Sequence, residues 1–125
     1  MNSRDRANGK VLTKEDIRFD VEIKLDSWIT DMVKSSRNFK KYERETIMIP
    51  FLKTMIQVSS NIARGRYIKS ARLEAWKKAQ ADYYEMQKYL KLLYELDYIS
   101  VGFFYVMDRR LSEIGKMISG LFKDL

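Results

Sequence analysis

The chain contains no cysteine and no histidine, and these two absences remove much of the usual chemistry of small proteins. Without cysteine it has neither a disulfide nor a thiolate ligand for a metal. Without histidine it lacks the commonest general base and the commonest metal ligand. The glycine patterns that cradle nucleotide phosphates, GxxxxGK[ST] and GxGxxG, do not occur either. We therefore expect a protein that is not an enzyme and that needs no cofactor or metal.

Proline, glycine and long apolar runs are also scarce. One proline and five glycines among 125 residues leave long uninterrupted stretches, which favour helices. No run approaches the roughly 20 apolar residues that span a bilayer, and the first residues lack the apolar centre of a secretory signal. The length is typical of one domain. We expect a cytoplasmic protein that does not enter a membrane.

The longest uninterrupted stretch runs from Ser70 to Leu96. It is rich in Ala, Leu, Lys, Glu and Gln, which lose little side-chain freedom in a helix. Its apolar residues recur at alternating steps of three and four, which places them on one helix face. The pattern predicts a long helix capped by Ser70, with a buried stripe formed by Trp76, Ala79, Tyr83, Met86, Leu90 and Leu93.

A first helix is predicted from Thr13, a good N-cap, to about Lys34. Its apolar residues again recur at steps of three and four: Ile17, Val21, Leu25, Trp28 and Met32. A fourth helix is predicted after Ser100, with Phe104, Met107, Leu111, Ile114, Ile118 and Leu121 on its apolar face. Gly115 within it favours a close contact with another helix.

A second helix is predicted from about Lys40 or Tyr42 to about Ala63, with Gly65 as its left-handed terminal residue. Pro50 lacks a backbone donor, so we expect a kink near residues 46–50 or a helix that begins there. Its expected core residues are Met48, Leu52, Met55, Ser59 and Ile62. The fold class is therefore all-α, an up-down-up-down four-helix bundle over residues 13–125, preceded by a flexible basic tail at residues 1–12.

The net charge of +7 is concentrated in one part of the chain. Residues 34–78 contain 12 basic and 3 acidic side chains. In an up-down bundle the two connections that flank the second helix lie at opposite ends. The basic residues therefore form two poles. The first contains Lys34, Arg37, Lys40, Lys41 and Arg44, and the second contains Arg64, Arg66, Lys69, Arg72, Lys77 and Lys78. All of these except Lys34 and Arg37 are candidate nucleic-acid contacts.

Such poles are suited to an extended polyanion, bound through phosphate contacts that ignore sequence and weaken with salt. The alternative is that they are solvated helix ends, since Arg64 and Arg66 also complement a helix C-terminus. Lys69 and Arg72 open the next helix, where cations are disfavoured, so their presence favours an external anion. Tyr42, Tyr67 and Tyr84 could stack on bases, whereas Trp76 and Tyr83 belong to the core stripe.

Three segments carry a resemblance to a known family: residues 39–44 (FKKYER) before the apolar second helix, residues 63–69 (ARGRYIK), and residues 113–123 (EIGKMISGLFK). With residues 25–28 (LDSW), they resemble the accessory variability determinant (Avd) proteins of diversity-generating retroelements. The likeness covers about residues 25–123. Residues 60–65 (SNIARG) also resemble a segment of the four-helix-bundle proteins encoded in intervening sequences of ribosomal RNA genes.

The first resemblance implies a non-catalytic accessory protein that assembles into a barrel-shaped homopentamer. Such a protein binds nucleic acid, RNA or DNA, through basic surfaces and partners the retroelement reverse transcriptase during mutagenic complementary-DNA synthesis. The second resemblance implies the alternative, a structural or interaction module with an unknown partner.

Overall fold

The computed structural model describes residues 13–123 and residue 125. The prediction of a tail at residues 1–12 lies outside the described residues. Within them the chain is almost entirely helical and contains no strand. Four long helices carry the fold: α1 (Lys14–Ser35), α2 (Ile49–Tyr67), α3 (Arg72–Glu95) and α4 (Val101–Gly120).

The four helices form a bundle in which each packs on the helices before and after it along the chain, and α4 closes the ring on α1. Short connections join antiparallel neighbours, as expected of an up-down bundle. No helix of the described part of the chain is both long enough and apolar enough to cross a membrane.

The starts of α1 and α4 confirm the caps predicted from the sequence. At α1, Thr13 Oγ1 accepts a hydrogen bond from Asp16 N and Asp16 Oδ2 accepts one from Thr13 N, both at 3.1 Å. At α4, Ser100 Oγ accepts a hydrogen bond from Phe103 N at 3.1 Å. Both caps satisfy amide donors that a helix start leaves unpaired.

The approach to α2 is irregular, as the proline predicts. A single α-helical turn, Lys41–Glu43, is followed by the π-helical residues Arg44–Met48, and the regular helix begins at Ile49. Pro50 is the second residue of the regular helix, directly after the π-helical residues, so its missing N–H falls where the helical hydrogen-bond pattern is already irregular. The prediction of a helix that begins near residues 46–50 is confirmed.

Two predicted boundaries around the second connection are wrong. Gly65 does not end α2, because the helix continues to Tyr67 and Gly65 is buried within its last turns. Ser70 does not cap α3 either, since it lies inside the short 3₁₀ turn Lys69–Ala71 and α3 begins at Arg72. Gly65 is instead required by the packing of Trp76, which lies so close that a Cβ would overlap the indole ring.

The core follows the predicted stripes, with one change of register. All six residues predicted on α3 are buried, as are those on α4 apart from the half-buried Phe104. On α1 the stripe is buried apart from Ile17, which is 42% exposed. On α2 the predicted Leu52 and Ser59 are only half-buried. The residues that fill the core from α2 are Phe51, Met55, Val58 and Ile62.

Candidate nucleic-acid interface

The two basic poles lie at opposite ends of the bundle. At the first pole, the connection before α2 meets the connection before α4, where the rings of Phe39 and Tyr98 pack edge to face with centroids 6.1 Å apart. At the second pole, the start of α1 meets the start of α3, and the Arg18 guanidinium lies 5.2 Å from the ring centroid of Trp76. The 19 residues of α2 separate the poles by about 28 Å at 1.5 Å per residue.

Three cations of the second pole are available to an external anion. Arg64, Lys69 and Lys77 are exposed, and their side chains have no hydrogen-bond or ion-pair partner among the described residues. Lys78 is also exposed, with Nζ 3.6 Å from Glu74 Oε1. A surface pair of this kind contributes little and is readily exchanged for another anion. These four side chains form the accessible part of the second pole.

Arg66 makes its contacts inside the subunit. Its side chain is only 13% exposed, and Nε donates a hydrogen bond to Glu22 Oε1 at 2.9 Å. The guanidinium also lies over the rings of Phe19 and Tyr67, at 5.1 and 4.2 Å from their centroids, and donates to the Tyr67 hydroxyl. The hydrogen bond to Glu22 raises the pKa of Arg66 above its ordinary value. Arg66 therefore holds α2 against α1.

Arg72 also has an internal role. From the first turn of α3 its Nε donates to the Gly65 carbonyl oxygen at 2.7 Å and its Nη2 donates to the Arg66 carbonyl oxygen at 3.1 Å. The last carbonyls of a helix lack intrahelical donors and attract cations. Arg72 thus neutralises the C-terminus of α2, which explains a cation at a helix start without an external anion. Sequence reasoning could not detect this contact because it depends on how the two helices meet.

The first pole is more loosely held. The Lys40 side chain is exposed and has no partner among the described residues. Lys41 is 88% exposed, with Nζ 3.9 Å from Glu45 Oε1. Arg44 is exposed, although its Nε donates to the Phe39 carbonyl oxygen at 3.2 Å. All three cations remain accessible to a phosphate.

The structure adds cations to the second pole that the sequence reasoning missed. Lys14 and Arg18 of α1 line a small surface pocket together with Gly120 and Leu121 from the end of α4. Lys14 is exposed, whereas the Arg18 side chain is only 11% exposed and is paired with Glu15 at 3.0 Å, so Arg18 is held inside the subunit as Arg66 is. Lys116 and Lys123 border the adjacent groove between α3 and α4. The up-down topology already places the start of α1 and the end of α4 at this pole. The up-down topology therefore predicts these additional cations at the second pole. Counting net charge by segment missed them, because their own segments of the chain are not basic in total.

The three candidate stacking tyrosines are exposed at different places. Tyr42 lies at the first pole and Tyr67 at the second, where its ring is covered on one side by Arg66. Tyr84 lies on α3 and is 60% exposed. Trp76 and Tyr83 are buried, as predicted. Among the described residues, no group of three or more acidic side chains is placed to hold a metal ion.

Comparison with known protein families, characterised proteins and solved structures gives no significant match. The class of the protein is accordingly defined by its own geometry. It is a four-helix bundle with exposed cations clustered at both ends.

Proposed function

We propose that this protein is a non-catalytic accessory protein of a diversity-generating retroelement, which binds nucleic acid through its basic poles. The retroelement role is taken from the sequence resemblance, and the observation that carries the nucleic-acid part of the proposal is the second pole. There, Arg64, Lys69 and Lys77 are exposed without a partner in the described residues, although acidic side chains are available elsewhere on the bundle. Unpaired cations gathered in one place favour binding to a polyanion.

The two poles fit an extended ligand better than a small one. They are about 28 Å apart, a distance that a small anion cannot bridge but a strand of nucleic acid can. The exposed lysines offer point charges for phosphates, which gives affinity without sequence preference. This arrangement suits a protein that holds RNA or DNA. The proposed protein partner is the retroelement reverse transcriptase, as the sequence resemblance implies.

The proposal includes assembly into a homopentamer. Ile49 and Ile56 are seven residues apart on α2, so they share a face, and they are 59% and 54% exposed. In the proposal, this face of α2 is the surface that a neighbouring subunit covers. A ring of subunits would repeat each pole around it and extend the charged surface along a bound strand.

Charge reversal tests the role of the second pole. The triple variant Arg64→Glu, Lys69→Glu, Lys77→Glu should abolish RNA binding at moderate salt while helical content and the unfolding midpoint stay unchanged. Each phosphate contact contributes about 0.7 to 0.9 to the slope of log affinity against log salt, so three lost contacts should reduce that slope by about 2 to 3. Arg66 and Arg72 are left intact because their replacement would disturb the packing of α2.

The matched control reverses three exposed cations that lie away from both poles and from the face of Ile49 and Ile56: Lys24→Glu, Lys88→Glu, Arg109→Glu. It changes the net charge by the same amount, so it separates the local pole from total charge. The proposal expects the control to keep most of the affinity. Equal losses in both triples would mean that net charge alone, and not the second pole, determines binding.

A further inference from the structure

A groove between α3 and α4 opens beside the second pole. Its volume is about 460 Å³, within the range of pockets that hold small molecules. Tyr84 of α3 stands on one side, and Lys116 of α4 and Lys123 stand on the other. The sequence reasoning placed no basic site residue here, because the residues from 79 to 125 are close to neutral in total.

Two glycines of α4 shape the floor of this groove for different reasons. Gly115 is needed for packing, since a Cβ there would overlap the ring of Tyr83, whose hydroxyl donates to the Leu111 carbonyl oxygen at 2.9 Å. Gly120 is not needed for packing, because a Cβ there would meet no atom within 4 Å. The lack of a side chain at Gly120 instead leaves the groove open.

Tyr84 is presented for stacking. The residue is 60% exposed, and its ring packs against the buried ring of Tyr83 in an edge-on contact with centroids 5.5 Å apart. Because Tyr83 is fixed by its hydrogen bond to α4, its ring restricts the movement of the Tyr84 ring packed against it. An exposed aromatic ring on a rigid base is a platform for a nucleobase.

The rest of the groove supplies the other contacts of a nucleotide. Lys116 and Lys123 have no ion-pair partner among the described residues and are exposed, as phosphate contacts require. Ser112 and Gln87 also line the groove, and their side chains offer donors and acceptors to a base edge. One aromatic face, two cations and polar side chains together match an aromatic base joined to a phosphate.

From this arrangement we infer that the groove binds one unpaired nucleotide of a single-stranded nucleic acid, with the base on Tyr84 and the adjoining phosphates at Lys116 and Lys123. The inference rests on the proposed function and deepens it. Both faces of a base inside a duplex are already stacked, so the site selects single strands. The second pole binds single-stranded and double-stranded nucleic acid alike, whereas the groove adds a preference for unpaired segments.

The test compares a fluorescent single-stranded oligoribonucleotide with a blunt duplex of the same sequence, by anisotropy at several salt concentrations. Tyr84→Ala should weaken single-strand binding about tenfold, the effect of losing a stacked base, without changing the salt slope or duplex affinity. Tyr84→Phe keeps the ring and should retain affinity. Gly120→Gln should reproduce the loss by filling the groove. Tyr105→Ala, at an exposed tyrosine of α4, is the control and should have no effect.

Two further readouts identify the bound group. A strand that carries a photoreactive uridine should crosslink to the peptide containing Tyr84. A free nucleoside monophosphate should compete only weakly; competition as strong as that of the strand would overturn the assignment to a strand and indicate a free nucleotide.

The outcomes separate this inference from the proposed function. The nucleotide site is overturned if Tyr84→Ala leaves both affinities unchanged, or weakens single-strand and duplex binding equally. The proposed function still stands in that case, provided that the unmodified protein binds both forms with a steep salt dependence. Failure of the unmodified protein to bind either form at low salt overturns both.

Discussion

The indole ring of Trp76 lies directly over Gly65, and its Nε1 donates a hydrogen bond to the Ile62 carbonyl oxygen at 3.2 Å. The same relation recurs between α3 and α4, where Tyr83 lies over Gly115 and donates to the Leu111 carbonyl oxygen. In both cases a glycine lets a large aromatic side chain reach a carbonyl in the interior of a neighbouring helix. These two contacts fix the position of α3 against both its neighbours.

Gly65→Ala should therefore destabilise the protein. Alanine gains up to about 1 kcal/mol in helix propensity, but displacing the fully buried Trp76 costs about 1 to 3 kcal/mol and weakens its hydrogen bond. We expect a net loss of about 1 to 2 kcal/mol in the free energy of unfolding, measured in urea. Gly102→Ala is the control, since a Cβ there meets nothing, and it should be neutral or stabilising. A stabilised Gly65→Ala protein would show that the indole is not held where described.

Arg66→Ala should lower stability by about 2 kcal/mol, because it leaves the largely buried Glu22 carboxylate without its partner and removes two aromatic contacts. A double-mutant cycle with Glu22→Gln measures the coupling, which we expect to be favourable by at least about 1 kcal/mol. Arg64→Ala, two residues away on the exposed side of the helix, should change stability by less than about 0.5 kcal/mol. If Arg66→Ala and Arg64→Ala lowered the free energy of unfolding equally, the assignment of a packing role to Arg66 alone would be wrong.

Arg72→Gln should loosen the end of α2. The two carbonyls that Arg72 now satisfies would lose charged donors, at a cost of about 1 kcal/mol. Hydrogen exchange should quicken at the amides of the last turn of α2 and remain slow at the centre of α3. Lys69→Gln, in the same connection but exposed, should leave both rates unchanged.

Tyr83 should make stability fall at high pH. Burial raises the pKa of Tyr83 above its ordinary 10.0, with smaller contributions from Tyr84 and Asp108. The phenol ionises at a lower pH in the unfolded chain than in the folded protein. The contribution of Tyr83 to the free energy of unfolding is therefore fully present below pH 10.0, and it is lost as the pH rises through the higher folded-state pKa. Tyr83→Phe should lose about 1 kcal/mol at neutral pH with its hydrogen bond but decline less above pH 10. Urea unfolding at several pH values checks this. If the free energy of unfolding fell equally above pH 10 in Tyr83→Phe and in the unmodified protein, the alkaline sensitivity would not come from Tyr83.

The fold was largely predictable because periodicity reports which side of a helix is buried. The α3 stripe from Trp76 to Leu93 needed no knowledge of its neighbours, and the caps at Thr13 and Ser100 are local hydrogen bonds. The register of α2 was less predictable. It is apolar on several sides, so the exposed Ile56 and the buried Phe51 look alike in sequence.

The candidate site was predictable in position but not in detail. Topology places the basic residues at the two ends, yet sequence does not distinguish the exposed Arg64 from Arg66, which is paired with Glu22 44 residues away. Gly65 was interpreted as a helix end for the same reason, since its contact with Trp76 is tertiary. Conversely, Lys116 and Lys123 were missed because their part of the chain is nearly neutral in total.

The most direct test of the proposed function is RNA binding by the purified protein across a range of salt concentrations, with molar mass measured in the same samples. The account predicts a species of about five subunits whose affinity for RNA falls steeply as salt increases. An oligomer that ignores RNA even at low salt would contradict it. The basic poles would then serve a protein partner, as in an interaction module of the intervening-sequence type.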